Sequence, residues 1–404
     1  MFFKYFAEPS ISIILLTYAT ILSLNGVLSE RVLRLKPKID KPGPLYNGTQ
    51  KPTLVDKKAE NLFLVLNERP ENDIFDSESC RETEKLIMPN FTEPGRRISE
   101  IKCLEHLWRM RFYDEMLLRS VRCGFDFDSV ISIIFGGRDA EPSEFPHMGA
   151  VGWKSVNNTW IFKCGATLVS QKFMITAAHC SRATRSDTQI ADPVPKIVRI
   201  GEIHIEFKDF NEKPPIDAVI KKITVHPYYR SPKKYYDIAI LELDEPVMFT
   251  LKSHPACIWT NQYQEVFGKA ALTGWGITEP GSQVAYPKLQ VAEVDVLSLR
   301  DCDKRLHSRR NRHWRGLVYH QMCAGHLAGG IDSCQGDSGG PLQMEIDIPE
   351  YSDWKIHYIV GVTSFGYGCG VLNTPSVYTR VSSFVDWIES VVWEEEYKKM
   401  KKLH

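Results

Sequence analysis

One-sided charge, a long apolar run and grouped metal ligands are all missing from this 404-residue sequence. Fifty Lys and Arg face fifty Asp and Glu, a formal net charge of +0, so no field of one sign draws nucleic acid or an acidic membrane to the whole chain. A protein partner fits this balance better. The apolar stretch Ile11 to Leu24 is short for a membrane span and is interrupted by Thr and Tyr. His147, His204, His226, His254 and His313 show no metal-ligand spacing, so no metal site is expected from them and a surface or structural place is. No internal repeat stands out.

What is present points to a secreted protein with one main domain and an N-terminal appendage. With 43% hydrophobic and 25% charged residues the chain can bury one large core or two smaller ones. Lys4, the apolar run and the small residues Gly26 and Ser29 read as a signal peptide over residues 1–29, removed on secretion. Glu8 and Pro9 just before the run keep an uncleaved anchor as the alternative. Ten cysteines suit an oxidising, extracellular compartment. Asn47, Asn90 and Asn157 begin Asn-x-Thr triplets compatible with glycosylation.

Residues 30–79 are rich in Lys, Glu, Pro and Asn, broken only by the patch Leu62 to Leu66, and read as a flexible linker. Residues 80–133 carry Cys80 and Cys103 and an apolar repeat at Ile101, Leu104, Trp108 and Phe112 that suits one face of a helix. That helix is either a cover packed on the main domain or a solvated charged helix. Beyond Cys123 the texture becomes short β-type runs punctuated by Gly and Pro, which indicates an all-β barrel or sandwich. A closing helix is expected with Ser382 or Ser383 as cap, Asp386 in its first turn and Phe384, Trp387, Ile388, Val391 and Val392 on one stripe. The tail Glu394 to Lys402, with Glu-to-Lys pairs four apart, should be exposed.

Three local patterns carry chemistry. A serine hydroxyl needs a base, a group that orients the base, and donors for a developing oxyanion. Gly336-Asp337-Ser338-Gly339-Gly340-Pro341 sets a serine in a glycine-rich turn whose N–H groups can converge on one point. Thr176-Ala177-Ala178-His179-Cys180 fixes a histidine beside a cysteine that a disulfide can clamp. Tyr236-Asp237-Ile238-Ala239-Ile240-Leu241 places an aspartate at the entry to an apolar strand, where its charge needs a donor such as an imidazole N–H. Singly each has an ordinary explanation, and jointly, in the order His, Asp, Ser, they resist one.

From Ile134 to about Trp393 the chain resembles the trypsin and chymotrypsin family of serine proteases. The resemblance implies an all-β fold of two six-stranded antiparallel β-barrels with a C-terminal helix, the catalytic domain spanning residues 134–404. It implies His179 as general base, Asp237 as its orienting partner and Ser338 as nucleophile, with the N–H groups of Gly336 and Ser338 as oxyanion hole. Asp332 matches the acid at the base of the specificity pocket, which selects Arg or Lys. Ser364-Phe365-Gly366 matches the strand that walls the pocket and pairs with the substrate backbone, and Ser376 stands where an open pocket has Gly. By the same resemblance Cys164 pairs with Cys180, Cys302 with Cys323, Cys334 with Cys369, and Cys123 with Cys257 as a tether, leaving Cys80 for Cys103.

Ile134-Phe135-Gly136-Gly137 matches the family's activation site, where cleavage frees an ammonium that pairs with Asp337. A zymogen is therefore expected, preceded by Ile133 instead of the Arg or Lys a trypsin-type activator requires. Pro94 to Cys103 resembles the region before the catalytic domain in the arthropod snake-type clip proteases of extracellular cascades, with a clip domain degenerate or lost because too few cysteines precede the tether. Such a protein takes a protein substrate, an upstream activating protease and a protein inhibitor as partners, and neither nucleic acid nor, once the signal is removed, a membrane. No cofactor is implied. Calcium is left open, because Glu202 begins a loop that binds it in some relatives while Glu206, Asp209 and Glu212 do not fix a ligand set. The other reading is a protease-like binding or regulatory module that never matures, motivated by Ile133.

Overall fold

In the computed structural model residues 88–122 and 138–403 are described, except 142, 185, 202, 206–214, 251, 263–267, 277–285, 330–335, 349–350 and 369. The expectations on residues 1–79, Cys80, Cys123, Ile133, Ile134, Asp332, Cys334 and Cys369, and on Glu202, Glu206, Asp209 and Glu212, lie outside them.

The strands are β1 (Arg138–Asp139), β2 (Met148–Lys154), β3 (Trp160–Ser170), β4 (Phe173–Thr176), β5 (Ile197–Ile200), β6 (Ile216–Val225) and β7 (Ala239–Leu243). After them come β8 (Cys257–Ile258), β9 (Gly268–Gly274), β10 (Gln290–Leu297), β11 (Gln321–Gly325), β12 (Pro341–Ile348), β13 (Tyr351–Phe365) and β14 (Ser376–Arg380). Strands β2 to β7 close an antiparallel barrel in the order β2-β3-β4-β7-β6-β5, with Gly149 of β2 facing Ile200 of β5. A second ring runs β9-β10-β11-β14-β13-β12 and returns to β9 through Leu342 opposite Leu272. Two six-stranded antiparallel barrels are thus the fold, and closure leaves few open edges.

Burial explains the first ring. Val151, Leu168, Ile175, Ile240 and Leu241 are all at most 1% exposed and share one core, each stabilising the fold by roughly 1.5–3 kcal/mol relative to an exposed side chain. The same core takes Val381, Phe384, Val385 and Ile388 from the chain's end, which runs as a 3-10 turn Val381–Phe384 into α-helix Val385–Val392. Neither serine caps this helix, because Phe384 is its N-cap and Ser382 is buried. Burying Val381 and Phe384 requires the tight entry. The tail forms a further helix, Glu394–Leu403, with Lys398 paired to Glu394 at 2.6 Å on its exposed side.

Ahead of the barrels lies a 25-residue helix, Ile98–Arg122, and its start is a packed cover instead of a solvated rod. Ile98 and Met110 enter the main core, while Phe91, Cys103 and Leu104 join Cys257 and Ile356. Glu389, fully buried, accepts hydrogen bonds from the Ser99 backbone N–H (3.0 Å), Ser99 Oγ (2.7 Å) and Arg97 Nη2 (2.9 Å). Arg97 also pairs with Asp386. Thr260 Oγ1 donates to Glu100 at 2.6 Å.

The cover corrects the cysteine expectation. Cys103 is bonded to Cys257, with Cα atoms 5.2 Å apart, so Cys257 is unavailable to Cys123 and Cys103 to Cys80. The resemblance implied Cys123 as the tether, but docking of the helix through Ile98, Leu104 and Glu389 sets Cys103 against Cys257. Cys164–Cys180 and Cys302–Cys323 are bonded.

Candidate active site

Register puts the base and its partner together. β4 and β7 are neighbours, with Thr176 opposite Ala239, so the residues just past β4 and just before β7 share one end of the barrel. His179 lies in the 3-10 turn Ala178–Ser181 and Asp237 two residues before β7. Asp237 Oδ2 accepts from His179 Nδ1 at 2.8 Å, and Oδ1 from the His179 backbone N–H at 2.9 Å. An ionised carboxylate only accepts, which puts the proton on Nδ1 and leaves the Nε2 lone pair outward as a base.

The second barrel completes the aspartate's shell. Ser364 Oγ donates to Asp237 Oδ2 at 2.5 Å, and Thr379 Oγ1 to the Asp237 carbonyl at 2.8 Å. Burial alone would push this carboxyl up, but the electrostatic pull of the His179 ring and the hydrogen bonds from His179 and Ser364 outweigh it and hold the group below its ordinary value. Tyr236, just before it, has φ +55°, a left-handed conformation that costs a bulky residue on the order of 1 kcal/mol. Its ring is packed between His226 (centroids 5.3 Å) and His320 (4.3 Å), and that packing holds the turn.

The serine turn is fastened from both barrels. The Gly165 N–H donates to the Ser338 carbonyl at 2.8 Å, the Gly339 N–H to Thr363 O at 2.8 Å and the Gly340 N–H to Asp337 O at 2.9 Å. Cys180 Sγ is 3.6 Å from the Ser338 carbonyl. The disulfide Cys164–Cys180 thus joins the residue before Gly165 to the residue after His179, clamping nucleophile and base through one bond. Gly336 has φ +110°, and a Cβ there would meet Gly276 Cα at 2.9 Å, so only glycine lets this turn aim its N–H groups inward.

The Asp337 carboxylate lies against Gly274 and Gly276. Its Oδ1 accepts the Gly276 N–H at 2.8 Å, and a Cβ on Gly276 would lie 2.4 Å from Oδ2. The carboxylate sits in a slot made by the absence of side chains on either side of Trp275. Ser376 is fully buried, its Oγ has no hydrogen-bond partner among the described residues, and a Cβ on Gly366 would approach that oxygen to 2.6 Å. Its hydroxyl therefore occupies space against the strand Ser364 to Gly366.

The structure joins His179 and Asp237 of the first barrel to Ser364 of the second, and Ser338 to Gly165, while Gly336 and Asp337 lie against Gly276 and Ser376 against Gly366. Asn90 and Asn157 are exposed. Sequence reasoning missed Ser364 as a donor to Asp237, Gly165 and Thr379 as fasteners, and the strain at Tyr236. Gly274-Trp275-Gly276 was a readable signal for the Asp337 slot, since paired glycines mark close approach. Among the described residues the one grouping of metal-capable side chains is Cys164, His179 and Cys180, and its two sulfurs are already spent in a disulfide. What remains is an acceptor-buried acid, an imidazole with an outward lone pair and a serine in a donor-rich turn, a set able to carry acyl transfer.

The sequence model of the Trypsin family matches residues 134–388. Three proteins of Drosophila melanogaster are similar to the chain. Serine protease snk is 35% identical over 307 residues, covering 74% of this chain and 66% of its own length. Serine protease Hayan is 36% identical over 265 residues, covering 64% and 39%. Melanization protease 1 is 34% identical over 298 residues, covering 69% of each.

Proposed function

Because the chain belongs to the trypsin family of serine endopeptidases, we propose that it is a secreted zymogen, cleaved before Ile134 and then hydrolysing protein substrates after Arg or Lys. His179 is the general base, Asp237 its orienter and Ser338 the nucleophile. The observation that carries this reading is Asp237 accepting His179 Nδ1–H at 2.8 Å with Ser338 clamped one residue from that histidine.

In the reaction, Ser338 Oγ attacks the scissile carbonyl while its proton passes to His179 Nε2, and the oxyanion rests on the N–H groups of Gly336 and Ser338. The proton then goes to the departing amine, leaving an acyl ester on Ser338. Water repeats the sequence with His179 again as base, freeing the carboxylate product and the serine. Cleavage before Ile134 supplies an ammonium for Asp337, whose slot beside Gly276 suits an ion pair next to the nucleophile. Asp332 draws the basic side chain, and Ser376 narrows the pocket.

The resemblance of Pro94 to Cys103 to the snake-type clip proteases favours a place in an extracellular cascade with an activating protease and a protein inhibitor as partners, and the relatives are named as proteases. Ile133 asks for an activator that cuts after an apolar residue. Installing Arg at 133 (Ile133→Arg), activating with trypsin and profiling a positional peptide library tests the specificity. Selection of Arg and Lys before the scissile bond is expected, and no preference for basic residues refutes it. The protease-like module that never matures, motivated by Ile133, predicts a cleaved, folded protein that hydrolyses nothing.

A further inference from the structure

A chain of zero net charge concentrates positive charge at one rim of its substrate groove. Residues 230–235 and 304–315 together hold nine Lys and Arg and no Asp or Glu. The fold brings these two loops side by side. The Lys234 N–H donates to His313 O at 3.2 Å, the Arg315 N–H to Tyr235 Oη at 2.7 Å, and Gln321 Nε2 to Lys234 O at 2.7 Å. Trp314, fully buried, anchors the longer loop beneath the groove, its ring 5.6 Å from Phe365 and 6.1 Å from Tyr367.

Two of these cations stand on the groove itself. Lys234 Nζ lies 5.4 Å from the Phe365 ring centroid and Arg309 Cζ 5.6 Å from that of Tyr367. Tyr367 Oη donates to Arg309 O at 3.2 Å, which pins that stretch to the strand's continuation. Arg310 is neutralised by Asp303. Lys234, Arg309, Arg312 and Arg315 have no acidic partner among the described residues, so their charge faces outward uncompensated.

A substrate paired with Ser364 to Gly366 runs its residues before the scissile bond along this strand, past Phe365 and Tyr367, and its side chains meet Lys234 and Arg309. We infer that the protein selects substrates with acidic side chains at the second to fourth positions before the scissile bond, recognised by Lys234 and Arg309. This rests on the proposed proteolysis and adds to it a preference that the pocket around Ser376 does not set. A sulfated polysaccharide would also meet a basic surface, but the two cations lie against the aromatic side chains of the groove strand, within reach of a bound peptide, which favours the acidic peptide.

The test uses full-length protein cleaved before Ile134. Fluorogenic peptides carrying Glu, Ala or Lys at the third and fourth positions are compared, with the residue before the scissile bond set in turn to Arg, Lys, Leu and Phe, so that the pocket's preference does not confound the outcome. A Glu-to-Ala ratio in kcat/KM of about three to ten is expected at low ionic strength, shrinking in high salt as exposed charges are screened. Lys234→Gln and Arg309→Gln each lower the ratio, Lys234→Glu inverts it toward the Lys peptide, and Lys269→Gln, a cation of β9 paired with Glu293, leaves it unchanged. A parallel arm reads binding of labelled Glu and Ala peptides to the Ser338→Ala protein by anisotropy, which answers the same question if no peptide is hydrolysed. A ratio of one in both arms overturns the inference, as does a ratio unmoved by Lys234→Gln, and salt-dependent heparin binding with a ratio of one assigns the rim to a polysaccharide instead.

Discussion

Substituting His106 by Leu should make the protein more resistant to acid. His106 lies on the helix Ile98–Arg122, buried edge-on against Phe249 with ring centroids 5.2 Å apart. Burial, reinforced by the nearby charges of Arg109 and Lys102, lowers its pKa from the ordinary 6.5 to about 3. Above pH 6.5 both folded and unfolded chains hold a neutral imidazole and pH has no effect through this group. Below 6.5 only the unfolded chain takes up the proton, so stability falls by about 1.4 kcal/mol per pH unit until pH about 3. At pH 5 the loss is about 2 kcal/mol, a difference of several degrees in Tm. Leu fills a similar volume without titrating. Thermal unfolding by circular dichroism at pH 7 and pH 5, with disulfides intact, should show a smaller drop in His106→Leu than in the parent. Equal drops would refute the reasoning, because His106 would then be titrating in the folded protein as it does in water.

Other outcomes follow from the same geometry. Ser364→Ala removes one donor from Asp237, so its pKa rises and kcat/KM should fall about five- to tenfold, with the acidic limb of the pH profile moving upward. An unshifted profile would deny Ser364 that part. Glu389→Ala leaves the buried Ser99 donors without their acceptor and Arg97 with Asp386 alone, and should cost about 1–3 kcal/mol in denaturant unfolding. Once the chain is cleaved before Ile134, Cys257→Ser should release the covering segment on a non-reducing gel and Cys123→Ser should not, since Cys103 holds Cys257.

The parts readable in advance were those a few adjacent residues specify. The turns around His179, Asp237 and Ser338 each need a local arrangement of Gly, Cys or apolar strand, so neighbours in sequence betray them. Short β runs likewise announced an all-β barrel or sandwich, and the family resemblance chose the barrels. Cys103 was assigned the wrong partner because its bond depends on where a helix docks, and that docking is decided by Glu389, almost 300 residues away. The cap of the helix Val385–Val392 was misplaced because core burial of Phe384 outweighed the preference of Ser for a cap. The basic rim escaped notice because charge was summed over the chain, and the fold alone puts Lys234 beside Arg309. Ser364 was read for its backbone, and its hydroxyl found Asp237 only once the two barrels met.

Ser338, with His179 and Asp237, is proposed as a nucleophile waiting on cleavage before Ile134. A fluorophosphonate probe, applied to the full-length protein before and after cleavage ahead of Ile134 and mapped by mass spectrometry, tests it most directly. Strong labelling of Ser338 is expected only after cleavage, with its loss in His179→Ala. A cleaved, folded protein that takes no label at Ser338 would contradict it.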